Sequence, residues 1–274
     1  MILFPNAKIN LGLHVLSRRK DGFHNIETVF YPVGLSDILE VENADKIDRE
    51  PSFHETGISS GVPYEKNLCY KAFLLLKDKY EIPGTCIHLH KIIPNGAGLG
   101  GGSSDAAYML MGLNSYYKLG LSKKELLSYA IKLGADCSFF IINKPVFAEG
   151  RGEKFSEIEL SLKNYYLLIV KPPYSISTPE AYQTCNPSIP KYSLKEIIGQ
   201  PVAGWKEFIT NDFEKVMFNK YPESIKIKEQ LYKNGALFAL MSGSGSSFYG
   251  IFENHPDDDI FRKKGFFTWT GILK

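Results

Sequence analysis

Twelve residues in the middle of the chain combine five glycines, two hydroxyl side chains and one acid. Residues 94–105 read Pro-Asn-Gly-Ala-Gly-Leu-Gly-Gly-Gly-Ser-Ser-Asp. Glycine accepts positive φ and lets a ligand come close to the backbone, and successive N–H groups can then enclose an anion. A helix that begins at such a loop adds unpaired N–H groups and the positive end of its dipole. This composition indicates a phosphate-binding loop.

The flanking segments supply the elements that such a loop needs. Residues 87–93 are rich in Ile and Leu and predict a strand, whereas residues 106–117 contain no Pro and predict a helix. Ser103 or Ser104 is predicted as the N-cap of that helix, with Asp105 in its first turn. A flexible Gly/Ser linker is the alternative. The strand before the loop and the helix after it favour phosphate binding.

Two other glycine-loop classes fit less well. The chain has no Gly-Lys pair, which excludes a P-loop. Residues 96–101 match G-x-G-x-x-G, but a second helix with a capping box at Ser122–Glu125 follows, instead of a strand that ends in an acid. A protein-kinase loop would have Val at position 103, and neither H-R-D nor D-F-G occurs. A dinucleotide oxidoreductase and a protein kinase are therefore disfavoured.

Composition narrows the class further. The chain has 274 residues, 44% of them hydrophobic, and a net charge of +2 with both signs mixed, which predicts one large or two medium domains and no nucleic-acid partner. Its four cysteines are widely spaced, which disfavours disulfides and a cysteine zinc site and fits a reducing cytoplasm. Neither a signal segment nor an apolar run of membrane length is apparent, so no membrane partner is expected. The sequence does not indicate an oligomeric state.

Strands and helices are grouped rather than strictly alternating, which predicts an α+β fold. A loop-like segment near residue 150 predicts two domains, 1–155 and 156–274. Residues 43–63 are polar and predict a surface excursion. The patterns predict strands at 7–16, 28–33, 38–42, 145–148, 165–170, 236–241, 247–252 and 266–271, and helices at 67–80, 205–218 and 223–234.

Two further motifs accompany the loop. Residues 5–11 read Pro-Asn-Ala-Lys-Ile-Asn-Leu, and residues 241–247 read Met-Ser-Gly-Ser-Gly-Ser-Ser. In this order and at these distances, the three motifs resemble those of the galactokinase, homoserine, mevalonate and phosphomevalonate (GHMP) kinase superfamily, over nearly the whole chain. The resemblance implies a ribosomal protein S5 domain 2-like N-terminal domain that binds ATP. It also implies a ferredoxin-like C-terminal domain that binds substrate, with the active site in the cleft between the domains.

The resemblance implies transfer of a phosphoryl group from ATP to an alcohol. Asp136 would accept the hydroxyl proton, with Lys8 beside it, and Mg²⁺ would neutralise the phosphate charge. Without the resemblance, Asp136 could simply stabilise a turn, and Lys8 would be a solvated side chain on a strand. The resemblance does not identify the group that would hold the metal, and Ser103 and Ser104 are candidates. Asp105 would lie beside the phosphates unless Mg²⁺ or another cation offsets its charge. The implied nucleotide-binding residues are Pro94, Gly96, Gly98, Leu99, Gly100, Gly101, Gly102, Ser103, Ser104 and Asn67.

The residues Asp-Gly-Phe-His at 21–24 look closest to one branch of the superfamily. Its acceptor alcohol carries a cytidine diphosphate group and leads to isoprenoid precursors. Phe23 and Tyr182 would then sandwich the cytosine ring, and His24 would hydrogen-bond the base. Asn10, Gly243 and Ser244 would line the substrate near the transfer site. The alternative for these aromatic residues is ordinary packing, since the chain has 18 Phe and 16 Tyr. Asn67, near the adenine pocket by resemblance, could equally be a helix N-cap.

Three alternatives stay open. The chain could be another small-molecule GHMP kinase, such as a homoserine kinase, or a non-catalytic nucleotide-binding member of the superfamily. Retention of both Lys8 and Asp136 argues against a binding module, and the 21–24 segment argues against homoserine. A dinucleotide oxidoreductase is the third. Two departures from the pattern are Cys137-Ser138, where Val-Pro is usual, and Ser246, where Pro is common.

Overall fold

The structure, a computed structural model, describes residues 1–43 and 51–274. The strands are β1 Ile2–Leu3, β2 Asn6–Arg18, β3 His24–Ser36, β4 Ile38–Asn43, β5 Ser52–Gly57, β6 Thr85–Lys91, β7 Val146–Gly150, β8 Lys154–Glu157, β9 Tyr166–Lys171, β10 Phe238–Met241, β11 Phe248–Phe252 and β12 Phe267–Ile272. The α-helices are α1 Leu68–Tyr80, α2 Gly101–Tyr116, α3 Lys123–Leu133, α4 Ala135–Ile142, α5 Thr178–Thr184, α6 Leu194–Ile197, α7 Phe213–Lys220, α8 Ile225–Lys233 and α9 Asp259–Arg262. Short 3-10 helices occupy Tyr64–Lys66, Val202–Glu207 and Pro222–Ser224. These elements confirm the α+β class.

The chain forms two compact units that are interleaved in sequence. The first comprises Met1–Ala7, Leu35–Asn95 and Gly100–Lys144, and the second comprises the segments between and after these: Lys8–Gly34, Gly96–Leu99 and Pro145–Lys274. The chain therefore passes between units five times, and none of these points is the predicted boundary at 155/156. The long strands β2 and β3 cause part of this interleaving, because most of each belongs to the second unit. The assignment of ATP to one domain and substrate to the other stays a prediction.

The first unit contains a four-stranded sheet in the order β1-β4-β6-β5 and the helices α1 to α4. The excursion predicted at 43–63 is wrong for Ser52–Gly57, which forms β5 and pairs in parallel with β6. This is an edge strand whose residues are only partly buried, so its polar composition resembles that of a loop. The rest of the predicted excursion includes residues 44–50, which lie outside the described residues.

Helix boundaries in the first unit correct two predictions. Gly100, in the left-handed region at φ 73°, is the N-cap of α2, so Ser103 and Ser104 are not caps but lie inside the first turns. The sequence analysis also missed α4, because it is short and follows α3 with only Gly134 between them. Asp136 therefore lies in the first turn of a helix, not in a simple turn. The capping box predicted at Ser122 is confirmed.

The second unit contains two four-stranded sheets. One has the order β2-β3-β7-β8, and the other has the order β10-β11-β9-β12 with every neighbouring pair antiparallel. In chain order, the latter sheet runs strand, helices, two strands, helix and strand, which is the ferredoxin-like arrangement that the resemblance implied. The predicted continuous helix at 205–218 is wrong, because a 3-10 helix at Val202–Glu207 and α7 share that segment.

Strand β2 explains how polar side chains of the first motif are held. Its apolar residues alternate as predicted, but the residues between them are buried too, so that nine consecutive positions, 7–15, are all buried. A strand buried on both faces must satisfy every polar group it carries with a protein partner. Lys8, Asn10 and His14 are therefore fixed in place. None of the described helices combines the length and apolar character needed to cross a membrane.

Candidate active site

The predicted phosphate-binding loop, residues 94–105, is called the phosphate loop below. Its glycines allow positive φ angles and close approach of neighbouring atoms. Gly96, Gly98 and Gly100 all have positive φ, between 59° and 73°. A Cβ on Gly98 would lie 1.9 Å from the backbone oxygen of Ser242, whereas a Cβ on Gly102 would have no heavy atom within 4 Å. Gly98 is thus required by tight packing. Gly102 borders open space, as a residue that faces a ligand would.

Within the second unit, the third motif binds the loop directly. Ser242 Oγ donates to the Gly98 carbonyl at 2.9 Å, and the Ser247 N–H donates to the Ala97 carbonyl at 3.1 Å. Asn211 Nδ2 donates to the carbonyls of Met241 and Gly243 at 2.8 Å each. The third motif is therefore a packed partner of the phosphate loop and not an ordinary hairpin turn.

Lys8 is buried, with 3% of its surface exposed, so the alternative of a solvated lysine is wrong. Its Nζ donates to Asn10 Oδ1 at 2.5 Å and to the Gly98 carbonyl at 2.9 Å, and its backbone N–H donates to the Leu99 carbonyl at 3.0 Å. Asn10 is fixed in turn, because its Nδ2 donates to Thr28 Oγ1 at 2.9 Å. These contacts join the first motif to the phosphate loop and aim a cation at the loop's backbone.

Asp136 lies in the first unit, half-buried in the first turn of α4, where a carboxylate is favoured by the helix dipole. Burial raises the pKa of the neighbouring Cys137 thiol to about 12, an effect that a hydrogen bond with Ser103 partly offsets. Cys137 is therefore a protonated packing residue and no nucleophile. Lys8 belongs to the other unit, and its pairing with Asp136 stays a prediction.

The other residues predicted around the nucleotide have mixed outcomes. Asn67 is the N-cap of α1, since its Oδ1 accepts from the Cys69 N–H at 2.9 Å, which confirms the capping alternative. Ser104 is fully buried. The expectation that Asp105 lies beside the phosphates is wrong, because its side chain is buried and paired with Lys91. Asp105 lies just after the first turn of α2, where its carboxylate contacts Lys91 at the end of β6.

Three aromatic residues predicted for the base lie together in the second unit. Phe23 is 54% exposed, and the Arg151 guanidinium lies 4.9 Å from its ring centroid. The rings of His24 and Tyr182 stack on each other at 4.9 Å between centroids. His24 Nε2 is buried and has no hydrogen-bond partner among the described residues. Burial, with a smaller effect from the Arg18 charge, lowers the pKa of His24, so its imidazole is neutral near pH 7.

Sequence reasoning missed the charged group behind the loop. Lys91 bonds both Asp37 and Asp105 in the first unit, and all three side chains are buried. The signal was present in the strand pattern, because Lys91 is in register with Ile87 and Leu89, which line the buried face of β6. A lysine at such a position must have buried carboxylate partners. The role of Asn211 in holding the third motif was missed as well, and no sequence motif indicates it.

Family profiles match both parts of the chain. The GHMP kinases N terminal domain matches residues 67–144, and the GHMP kinases C terminal family matches residues 194–265. Together these ranges cover more than half of the chain. The chain belongs to the GHMP kinase family.

Within that family, the similarity points to one enzyme. The chain is 52% identical over 276 residues to the 4-diphosphocytidyl-2-C-methyl-D-erythritol kinase of Parabacteroides distasonis, which covers 100% of both chains. A crystal structure of 4-(cytidine 5'-diphospho)-2C-methyl-D-erythritol kinase matches with a TM-score of 0.79 and 32% identity, covering 100% of this chain and 99% of that one. A homoserine kinase from Cytophaga hutchinsonii matches with a TM-score of 0.67 and 16% identity, covering 98% of this chain and 94% of that one. The homoserine kinase shares the fold alone.

The packing of Gly98 against Ser242 can be tested by two alanine substitutions. Gly96→Ala adds only the cost of a left-handed alanine, about 1–2 kcal/mol. Gly98→Ala carries the same cost and also a clash with a backbone oxygen, so we expect a loss of about 3 kcal/mol or more in the free energy of unfolding. Urea denaturation of both variants measures the difference. Equal losses would mean that the third motif does not hold the loop tightly.

Proposed function

We propose that the protein transfers a phosphoryl group from ATP to a hydroxyl of 4-diphosphocytidyl-2-C-methyl-D-erythritol. The products would be the 2-phosphate and ADP, in the methylerythritol phosphate pathway to isoprenoid precursors. The observation that carries the kinase chemistry is the buried Lys8, whose ammonium bonds the backbone of the phosphate loop. The choice of acceptor is supported by the full-length identity of 52% to a kinase of that name. Widely spaced cysteines, all four of them free, support a cytoplasmic location.

In this proposal, the nucleotide phosphates bind the loop from Pro94 through Ser104. The N–H groups at the start of α2 and the positive φ of alternate glycines support this role. Magnesium binds oxygen ligands and keeps several waters, so phosphate oxygens and water together would supply most of its ligands. Ser103 is the better of the two predicted protein ligands, because Ser104 is fully buried. The acidic group Asp257–Asp259, in which Asp258 is buried and the other two are exposed, lies outside all three motifs and is not assigned to this site.

The chemical step needs positioning and charge stabilisation more than a strong base. In a loose phosphoryl-transfer transition state, the acceptor oxygen keeps its proton until late. Asp136 would orient the hydroxyl and accept that proton, and Lys8 would stabilise charge on the transferring oxygens. Support for Lys8 comes from its hydrogen bonds to Asn10 and Gly98, which fix its ammonium before substrate binds.

The acceptor would be recognised through its base. The exposed face of Phe23 and the ring of Tyr182 offer stacking surfaces, and the unpartnered Nε2 of His24 offers a hydrogen bond. Because Arg151 lies over Phe23, a cation is also present where a base joined to a diphosphate would bind. Asn10, Gly243 and Ser244 would contact the part of the substrate that reacts.

The proposal is tested by ADP release from Mg·ATP with three acceptors in parallel. We expect release with 4-diphosphocytidyl-2-C-methyl-D-erythritol, and none with homoserine or mevalonate. Release with homoserine instead would replace the cytidine site by a different acceptor site within the same family. ATP binding by folded protein without release on any acceptor would identify a non-catalytic member.

Asp136→Asn separates the proton acceptor from nucleotide binding. The amide keeps the size of the side chain but cannot accept the proton, so we expect kcat to fall roughly 100-fold or more. The dissociation constant of ADP, measured by calorimetry, should change less than about twofold, because the amide removes no phosphate contact. An unchanged kcat would exclude Asp136 as the acceptor.

Phe23→Ala tests the base site. Loss of about 1–3 kcal/mol of stacking should raise the KM for the cytidyl substrate about tenfold and leave the KM for ATP unchanged. Phe208→Ala is the control, because Phe208 is 40% exposed and belongs to none of the three motifs. Steady-state kinetics on both substrates measures the effect. If both KM values rise equally, Phe23 is not part of the base site.

A further inference from the structure

Three charged side chains form a cluster in the core of the first unit. Lys91, Asp37 and Asp105 are 4%, 0% and 1% exposed. Lys91 Nζ donates to Asp105 Oδ2 at 2.7 Å and also to Asp37 Oδ2. We call these three residues the Lys91 cluster. Nothing in the proposed chemistry uses it.

The cluster contacts the chain both before and after the phosphate loop. Lys91 is the last residue of β6, and Asp37 Oδ1 accepts from the N–H groups of Ile92 at 2.5 Å and Ile93 at 2.8 Å. These contacts fix the backbone where it leaves the strand. Asp105 is on α2, so its bond to Lys91 fixes the helix that the loop enters. One ammonium therefore links the segment before the loop to the segment after it.

Packing at Gly101 shows independently that these two segments touch. A Cβ at this position would lie 2.9 Å from Ile93 Cγ2 and 3.3 Å from Lys91 Nζ. The first residue of α2 therefore lies directly against the end of β6. A small shift of the helix would break this contact and the ion pair together.

The cluster holds one ammonium and two carboxyl groups, and burial acts on the pKa of each kind in the opposite direction. Burial raises the pKa of the Asp105 carboxyl, and the Lys91 ammonium offsets this only in part. Burial lowers the pKa of Lys91, but the two carboxylates outweigh it, so its pKa is raised. From α1, Cys69 also faces the cluster, and burial raises the pKa of this thiol well above its usual value, so it is neutral. A buried cluster of this kind is weak evidence for stability and is better explained by a need for one fixed geometry.

We propose that Lys91 and Asp105 are positioning residues for the nucleotide. Their ion pair fixes the first turns of α2 against the end of β6, so that the N–H groups of residues 101–103 are aligned before phosphate binds. A binding site that is fixed in advance loses less entropy on binding, so the ion pair contributes to nucleotide affinity without contacting the nucleotide. This inference rests on the proposed function, since it requires that the loop binds phosphate.

The experiment measures ADP binding by calorimetry, with full-length protein well below its unfolding temperature. Asp105→Ala removes the pair, and we expect at least a tenfold weaker dissociation constant for ADP. Asp105→Asn keeps an oxygen acceptor for Lys91, so binding should stay within threefold of the unsubstituted protein. The KM for the cytidyl substrate at saturating ATP should change less than twofold in both variants. This split between the two ligands is not expected from a general loss of stability.

Two further variants separate position from stability. Lys91→Met combined with Asp105→Leu and Asp37→Asn replaces the ion pair by apolar side chains, an exchange that is often neutral or stabilising. The Asp37→Asn change leaves no buried carboxylate without its cation, and the amide oxygen can still accept from the N–H groups of Ile92 and Ile93. We expect it to fold and still to bind ADP at least tenfold more weakly. Asp258→Ala removes a buried carboxylate that pairs with the exposed Arg262 in the second unit, and it should leave ADP binding unchanged.

The inference is wrong if folded Asp105→Ala or the triple variant binds ADP within twofold of the unsubstituted protein. It is also wrong if Asp258→Ala weakens ADP binding as much as they do. If neither variant folds, the Lys91 cluster is a folding determinant, and the positioning role is rejected. Because ADP binding needs no acceptor, absence of turnover with the cytidyl substrate would contradict the proposed function and not this inference.

Discussion

The carbonyl oxygen of Gly98 accepts the hydrogen bonds that hold the loop residues of the second unit in one conformation. It accepts one hydrogen bond from Lys8 Nζ and another from Ser242 Oγ, at 2.9 Å each. The donors come from the first and third motifs, which lie more than 200 positions apart. A carbonyl with two lone pairs can accept both bonds only if the loop backbone takes one conformation. The positive φ and absent side chain of Gly98 allow that conformation. Glycine at this position therefore lets the first and third motifs both bond the loop.

The loop on either side of Gly98 is held by two different physical means. Residues 96–99 are fixed mainly by neutral hydrogen bonds in the second unit, with the Lys8 ammonium as the one charged donor. The strand end before the loop and the helix after it are fixed by the buried charges of the Lys91 cluster in the first unit. Neutral hydrogen bonds fix the backbone at a small desolvation cost. A buried ion pair also raises the free energy of any conformation in which the pair is broken. A phosphate site benefits from both, because its N–H groups must be aligned before the anion arrives.

Much of this could be predicted from sequence, and the failures have identifiable causes. Glycine spacing, the capping box at Ser122 and the alternation in β2 are local signals, and each gave the correct element. The excursion prediction failed at β5 because an edge strand is polar by nature, and α4 was missed because it is shorter than the usual helix. The cap of α2 was misplaced because a glycine in the left-handed region replaced the expected serine. The Lys91 cluster was missed because its members lie 54 and 14 positions apart, and no local rule pairs them.

The choice of acceptor alcohol must come from side chains that the fold itself does not require. A homoserine kinase shares the fold at 16% identity, so the architecture alone does not select an acceptor. In the proposed function, the phosphate loop and the residues that hold it would bind the nucleotide, the substrate that kinases have in common. The 21–24 turn differs in kind, because it carries the exposed ring of Phe23 and the buried, unpartnered Nε2 of His24, whose ring stacks on Tyr182 of α5. Burying His24 Nε2 without a partner costs free energy that a hydrogen bond from a ligand would recover. In the proposed function, these few aromatic side chains would select the acceptor, whereas Lys8, Asp136 and the glycine loop would carry out the phosphoryl transfer.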